Sequence, residues 1–157
     1  MAISKITTDY SDRKKDLHIF QGVNPKGTAA ITPSFGKISN YCTGIQKLIQ
    51  RYAICLLTSL GSQPNYPEFG TRLVNQTFNS SLLVNQVDFV LIFGIANTAV
   101  IKMFKEFQRN NAAPPDEQLA SARLKGISVQ NGGLVLEITI YPMQSTPVNF
   151  ILPLPKN

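Results

Sequence analysis

The stretch Cys55-Leu56-Leu57-Thr58-Ser59-Leu60-Gly61-Ser62-Gln63-Pro64-Asn65-Tyr66-Pro67-Glu68-Phe69-Gly70-Thr71-Arg72-Leu73, which we call the corner, decides how this chain folds. A helix is predicted to run into the corner and to end between Thr58 and Gly61, because Gly61 and Pro64 cannot continue a helix. A second, short helix is predicted from Thr71 to Thr77. The corner contains neither a nucleophile paired with a base nor a group of metal ligands. It therefore predicts a structural joint between two helices.

The segment before the corner has the apolar spacing of one helix face, at Ile45, Leu48, Ile49, Tyr52, Ala53 and Leu56. This spacing predicts a helix over 41–57, with Ser39 or Asn40 as its N-cap. The polar residues Lys47, Gln50 and Arg51 fall on the opposite side of the same helix.

A long helix is predicted after the corner, over about residues 82–110, with Asn79, Ser80 or Ser81 as its cap. Its apolar stripe is predicted to consist of Leu83, Val87, Val90, Leu91, Gly94, Ile101 and Phe104. The continuous apolar run from Phe89 to Ile95 is too short to span a bilayer, so we expect no transmembrane helix.

The last third of the chain changes to the period of two that is typical of strands. Apolar residues alternate on both sides of Asn131-Gly132-Gly133, which is a hairpin turn sequence. A three-stranded antiparallel meander is predicted from Ile127 to Leu154, after a polar connection over 116–125. Since Pro153 and Pro155 cannot donate to a ladder, the last strand is expected to fray or to lie at a sheet edge. Helices followed by strands indicate the α+β class, with two main helices packed on a small antiparallel sheet.

The length of 157 residues suits a single domain, which we place at 16–157 behind an N-terminal arm at 1–15. A short strand is predicted around Leu17–Phe20 and a loop over 26–40. The net charge of +6 is concentrated in residues 1–51, which carry eight Lys and Arg against three Asp. A basic region can bind nucleic acid or an acidic partner, or can simply be a solvated surface.

The sequence offers little for catalysis or metal binding. Cys42 and Cys55 would be about 20 Å apart on one helix, which is too far for a disulfide, so reduced thiols are expected. The one histidine, His18, has no nearby catalytic partner. The carboxylates are expected at the surface; they are Glu106, Asp116, Glu117 and Glu137. We therefore expect no enzyme, no cofactor and no metal site.

The residues of the corner resemble the baseplate wedge, or sheath-initiator, family of contractile phage tails, which is related to the type VI secretion protein TssE. The resemblance lies in Leu56-Leu57-Thr58 with Gly61, followed by Pro67-Glu68-Phe69-Gly70-Thr71-Arg72-Leu73. Phe35-Gly36-Lys37-Ile38 ahead of the first helix and the C-terminal meander extend it over residues 16–154. At the place of the family's Glu-Pro-Arg motif the chain reads Ser121-Ala122-Arg123-Leu124, and only Arg123 and the hydrophobic residue after it match.

The resemblance implies a structural baseplate protein of a virion tail, assembled in the host bacterial cytoplasm. Its implied partners are other wedge proteins and the tail sheath protein, with tube or hub proteins as further possibilities, and neither a small-molecule substrate nor a membrane. It would initiate the sheath by β-strand exchange. The partner-binding residues are expected to be Arg123, Leu124, Val148, Phe150 and Leu152, and the structural corner is expected to depend on Gly61, Pro67, Glu68, Phe69 and Gly70.

Two other functions remain open at this stage. The family's older "lysozyme-like" name suggests a peptidoglycan-degrading tail enzyme. The basic cluster Arg13-Lys14-Lys15 suggests a nucleic-acid-binding module, whose affinity would fall steeply with salt.

Overall fold

The computed structural model describes residues 14, 16–17, 20–21, 29–30, 32–33, 41–79, 86–130 and 133–154. Its helices are α1 (Gly44–Leu57), α2 (Leu73–Asn79) and α3 (Gln86–Asn110), followed by one 3-10 turn at Pro115–Glu117. Five two-residue strands come first in the chain: β1 (Asp16–Leu17), β2 (Phe20–Gln21), β3 (Ala29–Ala30), β4 (Thr32–Pro33) and β5 (Tyr41–Cys42). The long strands are β6 (Leu119–Gln130), β7 (Gly133–Pro142) and β8 (Val148–Pro153). The predicted α+β class with a C-terminal meander is confirmed.

The main sheet has the strand order β3-β8-β7-β6. The pairs β6–β7 and β7–β8 are antiparallel, and Ile138 in the middle lies between Leu124 and Phe150. Gln130 pairs with Gly133 at the end of the hairpin, so the predicted turn at Asn131-Gly132 lies between them, outside the described residues.

Two predictions about this sheet are wrong. The first strand begins at Leu119 rather than after residue 125, because Leu119 and Ala122 are buried and pair with β7. The last strand is not the outermost one, since β3 pairs with it in parallel along Phe150 and Ile151. In the described part of the sheet, β6 is the edge strand opposite β3.

Helix α1 packs its predicted apolar face into the core, where Leu48, Tyr52, Ala53 and Leu56 are fully buried. The ring of Tyr52 meets Phe150 of β8 edge to face, with a centroid distance of 6.1 Å. The helix starts at Gly44, later than predicted, because Tyr41 and Cys42 form a strand with Asp16 and Leu17 instead. The predicted caps Ser39 and Asn40 lie outside the described residues.

The predicted stripe of α3 is wrong in its first half, whereas Phe104 is buried and Ile101 packs against the core as predicted. Val87, Val90 and Leu91 are exposed, and the residues that enter the core are Phe89, Phe93, Ala96, Val100 and Phe104. Both sets have helical spacing and both are apolar, so the spacing alone could not decide between them. The three phenylalanines bury more apolar area than the valines would, and this larger burial favours the observed face.

Candidate functional site

The two halves of the corner meet in one hydrogen-bonded joint. The backbone N–H of Thr71 donates to the carbonyl of Thr58 at 2.8 Å, and the N–H of Leu60 donates to the carbonyl of Thr71 at 2.9 Å. The hydroxyl of Thr71 donates to the carbonyl of Leu56 at 2.7 Å and accepts a bond from the N–H of Leu73 at 3.1 Å. Thr71 thus satisfies a free carbonyl at the end of α1 and a free N–H at the start of α2.

Gly70 allows this joint to close. Its φ is 105°, and a Cβ at this position would lie 2.4 Å from the carbonyl oxygen of Thr58. Phe69 is half-buried against the core, whereas Pro67 and Glu68 are exposed. Gly61 has a φ of 80° in the turn after α1 but has open space around its Cβ position.

Arg123 is exposed on β6, and its guanidinium carbon lies 5.6 Å from the centroid of the Tyr141 ring. This cation–π contact holds the side chain over the sheet face that points away from the core. Leu124 and Val148 are half-buried against the core. Of the expected partner-binding residues, Arg123 is therefore the one whose side chain is exposed.

The expectation that Phe150 and Leu152 contact a partner needs a correction, since these residues are 0% and 2% exposed. They fill the core beneath α1, so their side chains are not accessible to a partner. The backbone of β8 is already paired with β7 and, at Phe150, with β3.

The polar side of α1 carries a buried ion pair that was not predicted. Lys47 and Glu117 are 3% and 6% exposed, and Lys47 Nζ lies 2.8 Å from Glu117 Oε2. The other carboxylate oxygen accepts the N–H of Gly44 at 2.9 Å, and Lys47 also donates to the carbonyl of Lys14 at 2.6 Å. These bonds offset the cost of burying two charges. The prediction that Glu117 lies at the surface is thus wrong.

Two more side chains of α1 hold the N-terminal strand β1. Gln50 donates to the carbonyl of Leu17 at 2.7 Å, and Arg51 Nε lies 2.7 Å from Asp16 Oδ2. The guanidinium carbon of Arg51 also lies 5.6 Å from the centroid of the Phe107 ring on α3. The predicted polar face of α1 is therefore an internal contact surface. Its residues pair with a segment that is distant in the chain, and the spacing of residues within one helix does not reveal such pairs.

The geometry of the described residues shows no catalytic arrangement of carboxylates. Glu106 is exposed beside Lys102, and Glu137 pairs with Lys125 at 2.8 Å. No group of three or more potential metal ligands occurs among the described residues. Both cysteines are buried free thiols, and burial raises the pKa of Cys55 to about 11. His18 lies outside the described residues.

A cavity of about 300 Å³ opens between α1, the corner and α3. Its walls are mostly apolar and are formed by Ile54, Cys55, Phe69, Met103, Phe104, Phe107 and Ala113, with Arg51, Gln108 and Glu117 as polar members. A second cavity of about 530 Å³ adjoins it, shares Arg51, Phe107, Ala113 and Glu117, and extends to Lys14 and Lys47. We call the two together the Arg51 groove.

The outer face of α3 is apolar and exposed in its first half. Val87, Val90, Leu91 and Ile95 are between 46% and 70% exposed, and we call them the α3 stripe. Val87–Asn110 is long and apolar enough to cross a membrane. Core helices of soluble proteins meet the same criterion of length and composition. The expectation that the chain has no membrane partner stays a prediction.

Comparison with known proteins does not assign this chain to a family. No family model, no curated protein and no solved structure matches it.

Proposed function

We propose that this chain is a structural, non-enzymatic component of a contractile tail baseplate. It would dock on wedge proteins and initiate the tail sheath by β-strand exchange. The observation that carries the proposal is the joint between Leu56–Thr58 and Gly70–Leu73. The two sequence segments that resemble the baseplate family are in direct contact and form one structural unit, which supports the proposal.

Two further features support an assembly role. The α3 stripe is a larger apolar surface than single exposed residues would make, and such surfaces often mark protein contacts. The edge strand β6 carries Arg123, whose planar guanidinium suits a carboxylate on a partner. Because Phe150 and Leu152 belong to the core, strand exchange in this proposal takes place through the backbone of a sheet edge, and β6 is the long strand at an edge of the described sheet.

The proposal can be tested in the phage or secretion system that encodes the chain. We expect a deletion of the gene to give tubes and wedges without polymerised sheath in electron micrographs. Complementation with Arg123→Ala should restore few sheathed particles, because the docking contact is lost. Lys125→Ala is the matched control, since Lys125 is also exposed on β6 but pairs with Glu137 of its own chain; it should restore assembly. Normal sheaths in the deletion strain would rule out the proposed role.

A further inference from the structure

Two side chains of the Arg51 groove carry hydrogen-bond donors that find no partner in the described part of the chain. One is Gln108, whose Nε2 is buried and bonds to none of the described residues. Arg51 uses Nε for Asp16, and the four N–H groups on its terminal nitrogens have no acceptor among the described residues. An unpaired buried donor costs stability, so it points to a group that arrives from outside.

The charges along the groove favour an anion. Lys14, Lys47 and Arg51 face the second cavity, together with Glu117, whose carboxylate already accepts from Lys47 and Gly44. Asp16 is bound to Arg51. The thiol of Cys55 is neutral at physiological pH, because burial raises its pKa to about 11. A carboxylate beside Arg51 would therefore meet donors and net positive charge.

The shape of the groove favours a polypeptide over a small metabolite. The first cavity has the size and apolar lining for one large side chain, and Phe69 of the corner forms part of its wall. The second cavity is larger and more polar, and it shares Arg51 and Phe107 with the first as lining residues. A compact ligand would fill the first cavity alone, whereas an extended segment could occupy both.

We propose that the Arg51 groove binds an extended segment of a partner protein, which inserts a large apolar side chain beside Phe69 and presents an adjacent carboxylate to Arg51 and Gln108. The proposal rests on the proposed function only in taking the ligand to be part of a partner protein. It gives the corner a role in recognition in addition to its role as a joint.

The proposal can be tested with the full chain and short peptides. The probe is acetyl-Gly-Phe-Glu-Gly-amide, compared with the same peptide carrying Gln for Glu or Ala for Phe. In amide-detected NMR titrations, we expect saturable shifts of the Gln108 side-chain amide and of the backbone amides around the first cavity, with a Kd on the order of 1 mM. Each altered peptide should bind about tenfold more weakly, because it loses either a charge-assisted hydrogen bond or the buried ring.

A variant of Gln108 separates the contribution of the amide donor to peptide binding from that of the apolar cavity. Gln108→Leu keeps an apolar wall but removes the unpaired amide, so the preference for Glu over Gln should shrink while the melting temperature rises. Gln46→Leu is the matched control, because Gln46 is exposed on α1 and lines neither cavity. It should leave the peptide preference unchanged.

Three outcomes would overturn the inference. The first is an absence of saturable shifts around the cavity up to about 10 mM peptide, a concentration well above the expected Kd. The second is equal affinity for the Glu and Gln peptides. The third is tighter binding of 3-phenylpropionate than of the peptide, which would assign the cavity to a small molecule. Loss of peptide binding with normal sheath initiation by the chain would reject this inference alone and leave the proposed function standing.

Discussion

Gly70 and Gly61 both have a positive φ, but only Gly70 is close to another part of the backbone. Substitutions at the two positions therefore separate the cost of backbone strain from the cost of a steric clash. We expect Gly70→Ala to lower the free energy of unfolding by about 3 kcal/mol or more, because the backbone strain adds to a clash with the carbonyl oxygen of Thr58. Gly61→Ala should cost only the strain of roughly 1–2 kcal/mol, since its Cβ would meet open space. Urea denaturation measures both. Equal losses would mean that the close approach at Gly70 contributes nothing.

At the scale of one residue, the sequence was informative where a rule is local. Gly61 and Pro64 predicted the end of the first helix, and α1 ends at Leu57 with Thr58 as its C-cap. Glu117 was mispredicted because its burial depends on Lys47, which is seventy positions away in the chain. Long-range pairs of this kind leave no trace in the spacing of neighbouring residues.

Helix α3 has one buried and one exposed apolar face, and substitutions on each face test which of them belongs to the core. Phe93→Ala should cost about 3–5 kcal/mol, because its ring is buried in the core. The double variant Leu91→Gln with Ile95→Gln should change stability by about 1 kcal/mol or less, since both side chains are exposed and glutamine is a good helix former. The same double variant should elute earlier from a phenyl column under native conditions, because the α3 stripe is lost.

The opposite result would be equally clear. If Leu91→Gln with Ile95→Gln destabilises the fold as much as Phe93→Ala does, the α3 stripe is packed within this chain and is not a partner surface. The sequence could predict that α3 exists and ends at Asn110, since Asn110 to Pro115 break the helical pattern. It could not predict which apolar face turns inward, since that depends on the complementary shape of β6 and α1.

At the scale of the whole molecule, Asn97 joins three elements, α1, α3 and β6. Its side-chain oxygen accepts the hydroxyl of Tyr52 on α1 at 2.7 Å, and its Nδ2 donates to the carbonyl of Ala122 on β6 at 2.9 Å. Burial raises the pKa of Tyr52, so the phenol stays a neutral donor at any working pH. The carbonyl that α3 holds belongs to the residue just before Arg123. The network therefore fixes where the exposed arginine lies relative to the α3 stripe.

A double-mutant cycle measures this coupling. Asn97→Ala should cost about 2–4 kcal/mol, because it leaves the Tyr52 hydroxyl and the Ala122 carbonyl without partners. Tyr52→Phe should cost about 1–2 kcal/mol, and the double variant should fall short of the sum by about 1 kcal/mol, since the shared hydrogen bond is lost only once. Thr98→Ala is the control: its exposed hydroxyl bonds only within α3, to Gly94. Strict additivity in denaturant titrations would show that Tyr52 and Asn97 act independently, and the orientation of α1, α3 and β6 would then rest on apolar packing alone.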